Sequence, residues 1–240
     1  MKKISLILVT AFAPFAAVAA DLPARTSAVA PAPSASLSMF YVEGQMGAAT
    51  VKDVDTVTYS GSAGGYTFTN FKGTAEYKNA FAYGAEVGMS NVMGSPFRVG
   101  LSYAGFKAEV NKISGSGTVA YGGTTYNLSA NVTRAQINSG GTNFDNQVNL
   151  YMANAYYDFK TGTPLRPFVG VGVGVADIEH ATKNQLALSA TIGAQYDLTS
   201  NVYVGGKLIG YRVNGPKDEL GVEYKAIMAG AALVSVGMRF

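Results

Sequence analysis

The last stretch of the chain, Glu223 to Phe240, alternates in steps of two. Counting back from the end, Phe240, Met238, Val236, Val234 and Ala232 fall on one side, and Arg239, Gly237, Ser235, Leu233 and Ala231 on the other. Residues two apart share a strand face. One face is therefore continuously apolar. The other is small or polar, with Leu233 as its single exception. A soluble strand has little with which to bury a final apolar residue, whereas a lipid-facing strand places a last aromatic at the membrane interface. This stretch sets the expectation of a transmembrane β-barrel, against which every earlier segment is tested.

The first 20 residues carry the three parts of a secretory signal. Met1-Lys2-Lys3 is positive, Ile4 to Val18 is mostly apolar, and Val18-Ala19-Ala20 supplies small residues for cleavage after Ala20. The apolar run is shorter than the ~20 residues of a membrane helix and contains Pro14. No other stretch is long and apolar enough for such a helix, so strands would have to carry the chain across lipid. Residues 21–38, with Pro23, Pro31 and Pro33 among Ala and Ser, read as an extended periplasmic lead-in.

Composition agrees with a many-stranded chain. Of 240 residues, 29 are Gly, 27 are Tyr or Phe, and only 14% are charged. There is no Cys, which removes disulfides and thiolate metal sites. The formal charge of +3 overstates the basic balance, because Lys2 and Lys3 lie in the signal; without them 16 bases face 15 acids. No basic stripe remains to engage nucleic acid.

Seven further segments alternate. Met39–Thr50 directs Phe40, Val42 and Met46 outward and Tyr41, Glu43 and Gln45 inward. Asn79–Ser90 directs Phe81, Tyr83 and Val87 outward and Glu86 inward. Phe97, Val99, Leu101 and Tyr103 alternate with the inward Arg98. Residues 166–178 alternate Val169, Val171, Val173 and Val175 with Gly170, Gly172 and Gly174. Residues 184–198 and 202–213 complete the set with residues 147–160, whose phase is ambiguous. Val148, Leu150 and Met152 read as outward only if a bulge near Tyr156-Tyr157 returns Asp158 to the other face.

The expected fold of residues 39–240 is thus an all-β, eight-stranded antiparallel up-and-down barrel with both ends in the periplasm. Its connections alternate in length. Residues 91–96, 161–164 and 199–201 are tight turns, whereas 51–78 and 111–146 are long, as in outer-membrane barrels. Turn residues Gly61 to Gly65 and Gly122-Gly123 predict that strands one to four continue as hairpins above the membrane.

Asp21-Leu22-Pro23-Ala24-Arg25, Tyr156-Tyr157-Asp158-Phe159, Pro167-Phe168-Val169-Gly170-Val171-Gly172 and the terminal Phe resemble the small outer-membrane barrels of rhizobial and related alphaproteobacteria, within the OmpA/OmpX-like, opacity-protein-like group. Ser235 stands where that group usually has Gly. The resemblance implies an outer-membrane location without one fixed activity. It also implies that Phe240 and Met238 act as an assembly signal for the barrel-assembly machinery.

Candidate functional residues are few. Glu43, Glu86, Arg98, Lys207, Lys225 and Arg239 form a candidate charge network in a lumen just wide enough for side chains to fill. Unpaired charges there are costly, so pairing is expected; the competing reading is a narrow path for ions or water. His180, the single His, reads as a solvated loop residue, with a haem-ligand role as the sharper alternative. One His supplies neither a multi-His metal site nor a complete triad. The Gly170–Gly174 run lacks the spacing and following helix of a dinucleotide loop. The expectation is a non-catalytic, cofactor-free barrel contacting outer-membrane lipid. Its loops could also contact a host or neighbouring surface, or bind a ligand such as haem.

Overall fold

Eight strands close on themselves, each paired antiparallel with its neighbours. The computed structural model describes residues 39–63, 65–139, 145–179, 181–217 and 223–240; the expected signal segment, the lead-in 21–38 and His180 lie outside them. In chain order the strands are β1 (Met39–Val51), β2 (Val54–Asp55), β3 (Tyr59–Ala63), β4 (Tyr66–Tyr77), β5 (Ala80–Ser90), β6 (Phe97–Ala108), β7 (Val110–Tyr121), β8 (Thr124–Thr133), β9 (Asn146–Asp158), β10 (Leu165–Ile178), β11 (Gln185–Asp197), β12 (Val202–Val213) and β13 (Ile227–Arg239).

The barrel runs β1-β13-β12-β11-β10-β9-β6-β5 and back to β1. Closure comes from β13 against β1, with Gly44 opposite Val236 and Met46 opposite Val234. This leaves no open edge in the barrel wall, as lipid requires. Outward positions on the lower half carry Phe40, Phe97, Tyr157, Phe159, Tyr196 and Phe240, and Phe81, Tyr83 and Tyr151 lie higher; all are exposed on the barrel surface. Two aromatic girdles around a Val- and Leu-rich belt are what a lipid-facing barrel needs.

The glycines of β10 have a steric reason. A Cβ at Gly170 would meet the Tyr156 ring, and one at Gly172 would meet Asn154 and Ser189. The small inward residues of β10 leave space that the inward side chains of β9 fill.

Strand β9 keeps one phase from end to end. Val148, Leu150, Met152, Asn154 and Tyr156 are all buried, so the outward placement of Val148, Leu150 and Met152 is wrong, and no bulge separates them from Asp158. The physical reason is that the lumen is layered. Its lower half is polar, and its upper half is an apolar core that includes Leu150, Met152, Phe106, Ile209, Tyr211 and Leu233. Leu233, the odd apolar residue on the polar face of β13, belongs to that layer.

Above the barrel, β4 and β7 form a second sheet with β2, β3 and β8. The β3–β4 hairpin pairs Ala63 with Tyr66, and the β7–β8 hairpin pairs Tyr121 with Thr124 across Gly122-Gly123. Both glycines have positive φ, 58° and 82°, as a two-residue hairpin turn requires. The two hairpins are not separate, because β4 pairs with β7 from Thr67↔Ala120 to Tyr77↔Val110. The β5–β6 pair of the wall thereby continues upward as β4–β7, with Lys78 N–H donating to Glu109 O (2.9 Å) at the junction.

Candidate functional site

The polar half of the lumen begins with an electrostatic problem. Glu43 on β1 lies directly opposite Glu86 on β5, and both are 2% exposed. Two adjacent carboxylates away from water need cations. Lys207 on β12 supplies one, with Nζ 2.7 Å from Glu43 Oε1 and 3.9 Å from Glu86 Oε2. Arg98 on β6 supplies the other. Its Nη1 lies 3.7 Å from Glu86 Oε1, and its Nε lies 3.2 Å from Asp158 Oδ2.

Neutral donors complete both carboxylates. Tyr41 and Tyr156 hydroxyls donate to Glu86, the latter at 2.7 Å, with Asn154 Nδ2 at 3.3 Å. Glu43 accepts from Tyr203 Oη (2.9 Å) and Gln195 Nε2 (3.4 Å). The Arg98 guanidinium lies over the Tyr156 and Phe168 rings, 4.1 and 4.8 Å from their centroids. At the lower end Arg239 donates to Asp197 Oδ1 and Gln195 Oε1, both at 2.8 Å, and Arg166 Nη2 reaches the same Asp197 oxygen at 2.7 Å.

Of the six residues proposed for this network, Glu43, Glu86, Arg98, Lys207 and Arg239 line one lumen. Lys225 does not join them. It stands in the segment before β13, about three-fifths exposed, and pairs with Asp55 at 3.3 Å. Thr74's hydroxyl, and after it Lys225, hold the Asp55 carboxyl below its usual range. Lys225 falls outside because β13 begins only at Ile227, so the alternation does not extend back to it.

Asp158, Asp197 and Arg166, with the three tyrosines and Gln195, were not singled out from sequence. Tyr41 and Gln195 do sit at inward positions of clean alternations, which was the available signal. The Asp158 signal was hidden by the apolar run before it.

Above this network the apolar layer encloses a cavity of about 40 Å³, lined in part by Val51, Val54, Tyr77, Phe106 and Tyr211. The described residues contain no cluster of three or more metal-ligating His, Cys, Asp or Glu side chains.

A second charged site closes the base of the β7–β8 excursion. Asp145, just before β9, accepts from Arg134 Nη2 (2.9 Å) and from Val110 N–H (3.2 Å), and Lys107 lies 3.2 Å away. Arg134 also donates to Val110 O at 2.8 Å. The Arg134 guanidinium holds the Asp145 carboxyl down to about 2 from an ordinary 3.8. A carboxyl with a lower pKa in the folded protein contributes stability that is complete above its unfolded value and is lost as pH falls through the folded one. Pepsin should therefore leave residues 110–139 of the wild type intact at about pH 4 and cut them as pH falls below about 2, whereas Asp145→Asn should be cut at both. Equal resistance of the two proteins at pH 4 would show that the Arg134–Asp145 pair does not hold this segment closed.

A family model described as surface antigen matches residues 42–213, which is 172 of the 240. The outer membrane protein PagN of Salmonella typhimurium is 35% identical over 80 residues. That match covers 26% of this chain and 34% of PagN, so it spans about a third of the curated relative. Among solved structures, neisserial surface protein A is similar with a TM-score of 0.50 at 15% identity, over 84% of this chain and 97% of that one. OprG of Pseudomonas aeruginosa is similar with a TM-score of 0.45 at 13% identity, over 85% and 96%.

Proposed function

Because this chain belongs to the surface antigen family of outer-membrane β-barrel proteins, we propose that it is a closed, non-catalytic barrel that presents an ordered sheet at the cell surface and adds to envelope integrity. The observation that carries this reading is the filled lumen. Tyr41, Glu43, Glu86, Arg98, Leu150, Gln195 and Tyr203 are its most deeply buried large side chains, and an apolar layer lies above the polar one. Four acids (Glu43, Glu86, Asp158, Asp197) meet four bases (Arg98, Arg166, Lys207, Arg239) there, a balance that suits a structural plug.

The connections support an orientation with both chain ends in the periplasm. Asn201 O accepts from Arg239 N–H, and Phe40 O accepts from Phe240 N–H, so both ends of the barrel chain share one rim with a short turn. Placing that rim in the periplasm sets the second sheet outside. In this reading outer-membrane lipid covers the apolar girdle, and the barrel-assembly machinery reads Met238 and Phe240. The kinship with rhizobial-type alphaproteobacterial barrels is part of the same proposal.

The narrow-porin alternative makes the opposite statement about the lumen. Single-channel recording of the refolded chain in planar bilayers should give no steady unitary conductance. A reproducible conductance would replace the plugged barrel with a pore.

A further inference from the structure

Two cations on the outer wall of the barrel have no partner among the described residues. Arg212, near the top of β12, stands between the buried Tyr211 and Val213, so alternation turns it outward. Lys52, the residue after β1, follows the buried Val51 and turns outward likewise. Both are exposed, and neither side chain makes an ion pair or a hydrogen bond with a described residue. The strand register brings them together. Met228 of β13 lies opposite Arg212, and its carbonyl accepts from Lys52 N–H at 2.8 Å. The two Cα atoms are therefore about 10 Å apart, two inter-strand steps, and both long side chains can reach one small anion between them.

Their height on the wall is set by the strand. Arg212 is ten residues along β12 from the outward Val202 at its lower end. At ~3.4 Å per residue and a tilt of ~40°, that rise is about 25 Å, the height of the apolar band of an outer-membrane barrel. Arg212 thus stands at the upper headgroup boundary. The wall directly below it is nearly bare. Gly210 pairs with Gly230, which pairs with Thr50, and the next outward positions on β13 and β1 are Ala232 and Ala48. A Cβ added at Gly210 would meet nothing within 4 Å. Larger outward side chains flank this lane, with Leu188 and Ile192 on β11 and Phe81 on β5.

We propose that Arg212 and Lys52 hold the phosphate of an outer-leaflet lipid whose acyl chain lies along Gly210, Gly230, Ala232 and Ala48. Charge and depth select this occupant. A guanidinium binds phosphate through paired N–H donors, and an ammonium adds a point charge. No acid takes their place. Asp53 forms no ion pair with Lys52, and Asp55 is held by Lys225 at 3.3 Å. Toward β10 the first outward acid is Asp177, four residues beyond Val173, which is in register with Arg212 through Leu188. That offset is about 13 Å along the strand, in addition to two strand spacings. A second copy packed symmetrically on the lane would bring its own Arg212 and Lys52 toward these two, which like charges oppose.

This inference rests on the membrane-barrel reading above, and one experiment separates the two. The chain contains no Trp. Ile192→Trp beside the lane and Leu101→Trp on β6, across the barrel from β12, therefore each report their own lipid neighbours. Each variant is refolded into phosphatidylcholine vesicles containing either dibrominated phosphatidic acid or dibrominated phosphatidylcholine, whose bromines quench the indole on contact. At position 192 phosphatidic acid should be preferred about fivefold or more, and at position 101 the two lipids should quench about equally. Arg212→Gln with Lys52→Gln should remove the preference at 192, with circular dichroism checking that the barrel remains. With both cations kept, about 0.5 M NaCl should weaken the preference. About 10 mM inorganic phosphate should leave it unchanged, because the acyl chain supplies part of the affinity. Equal quenching by the two lipids at 192, or a preference that survives the loss of both cations, would overturn the lipid site while leaving the barrel in place. Displacement by inorganic phosphate would overturn it in favour of a site for the free anion. Absence of quenching by either lipid at both positions would take the wall out of lipid and overturn the barrel reading as well.

Discussion

Lys207→Met should unfold in urea about 3–5 kcal/mol more easily than the wild type, the cost of leaving a buried charge without its partner. The lysine stands 2.7 Å from Glu43 and also approaches Glu86, so its loss leaves two facing carboxylates with Arg98 as their nearest remaining cation. The double variant Lys207→Met with Glu43→Gln should regain most of the loss. Glutamine keeps the shape and can still accept from Tyr203, while one of the two stranded charges is gone. A double-mutant cycle should return a coupling of about 1.5 kcal/mol or more. A single-variant cost under about 1 kcal/mol would mean that water reaches the pair and screens it. That outcome would also weaken the plugged-lumen reading, because a wet lumen is the first requirement of a pore.

The second large effect concerns Gly237→Leu. Gly237 faces Glu43 on one side and Tyr203 on the other in the strand register. A Cβ at this position would run into the Tyr203 ring. That ring cannot yield freely, because its hydroxyl donates to Glu43 and the Arg239 guanidinium stacks 4.1 Å from its centroid. Overpacking costs about 1–3 kcal/mol, and the lost bond to a charged acceptor adds about 1.5–3 kcal/mol. Denaturant titration should show the sum as a loss of about 3 kcal/mol or more. Gly210→Ala serves as the control. Gly210 points outward, and nothing lies within 4 Å of a Cβ added there, so its change should stay within about 0.5 kcal/mol. Equal losses at the two positions would show that backbone propensity, not the Tyr203 contact, sets the cost.

Strand number, order and short turns were legible because a two-residue period survives any tertiary context. Glu43, Glu86 and Arg98 were legible as inward residues for the same reason. Two readings failed where that period stops being informative. Along β9 the inward Val148, Leu150 and Met152 are more apolar than the outward Asn149 and Tyr151, so alternation marks two faces and polarity points to the wrong one as lipid-facing. At Lys225 the strand has not yet begun, and a periodicity count runs past its end.

The residues by themselves thus determined a closed antiparallel barrel, its eight wall strands and its lipid-facing belt, because alternation and turn chemistry are local. Only the tertiary structure decided what fills and what crowns the barrel. Lys207 meets Glu43 from 164 residues away, and no local pattern encodes that pairing. The union of β4 with β7 likewise joins two excursions separated by the β5–β6 hairpin, because that hairpin's strands continue above the wall. The terminal strand shows both levels together. Its outward Val234, Val236 and Met238 were readable in steps of two, but the place of Leu233 in an apolar layer and of Arg239 beside Asp197 depended on side chains arriving from other strands.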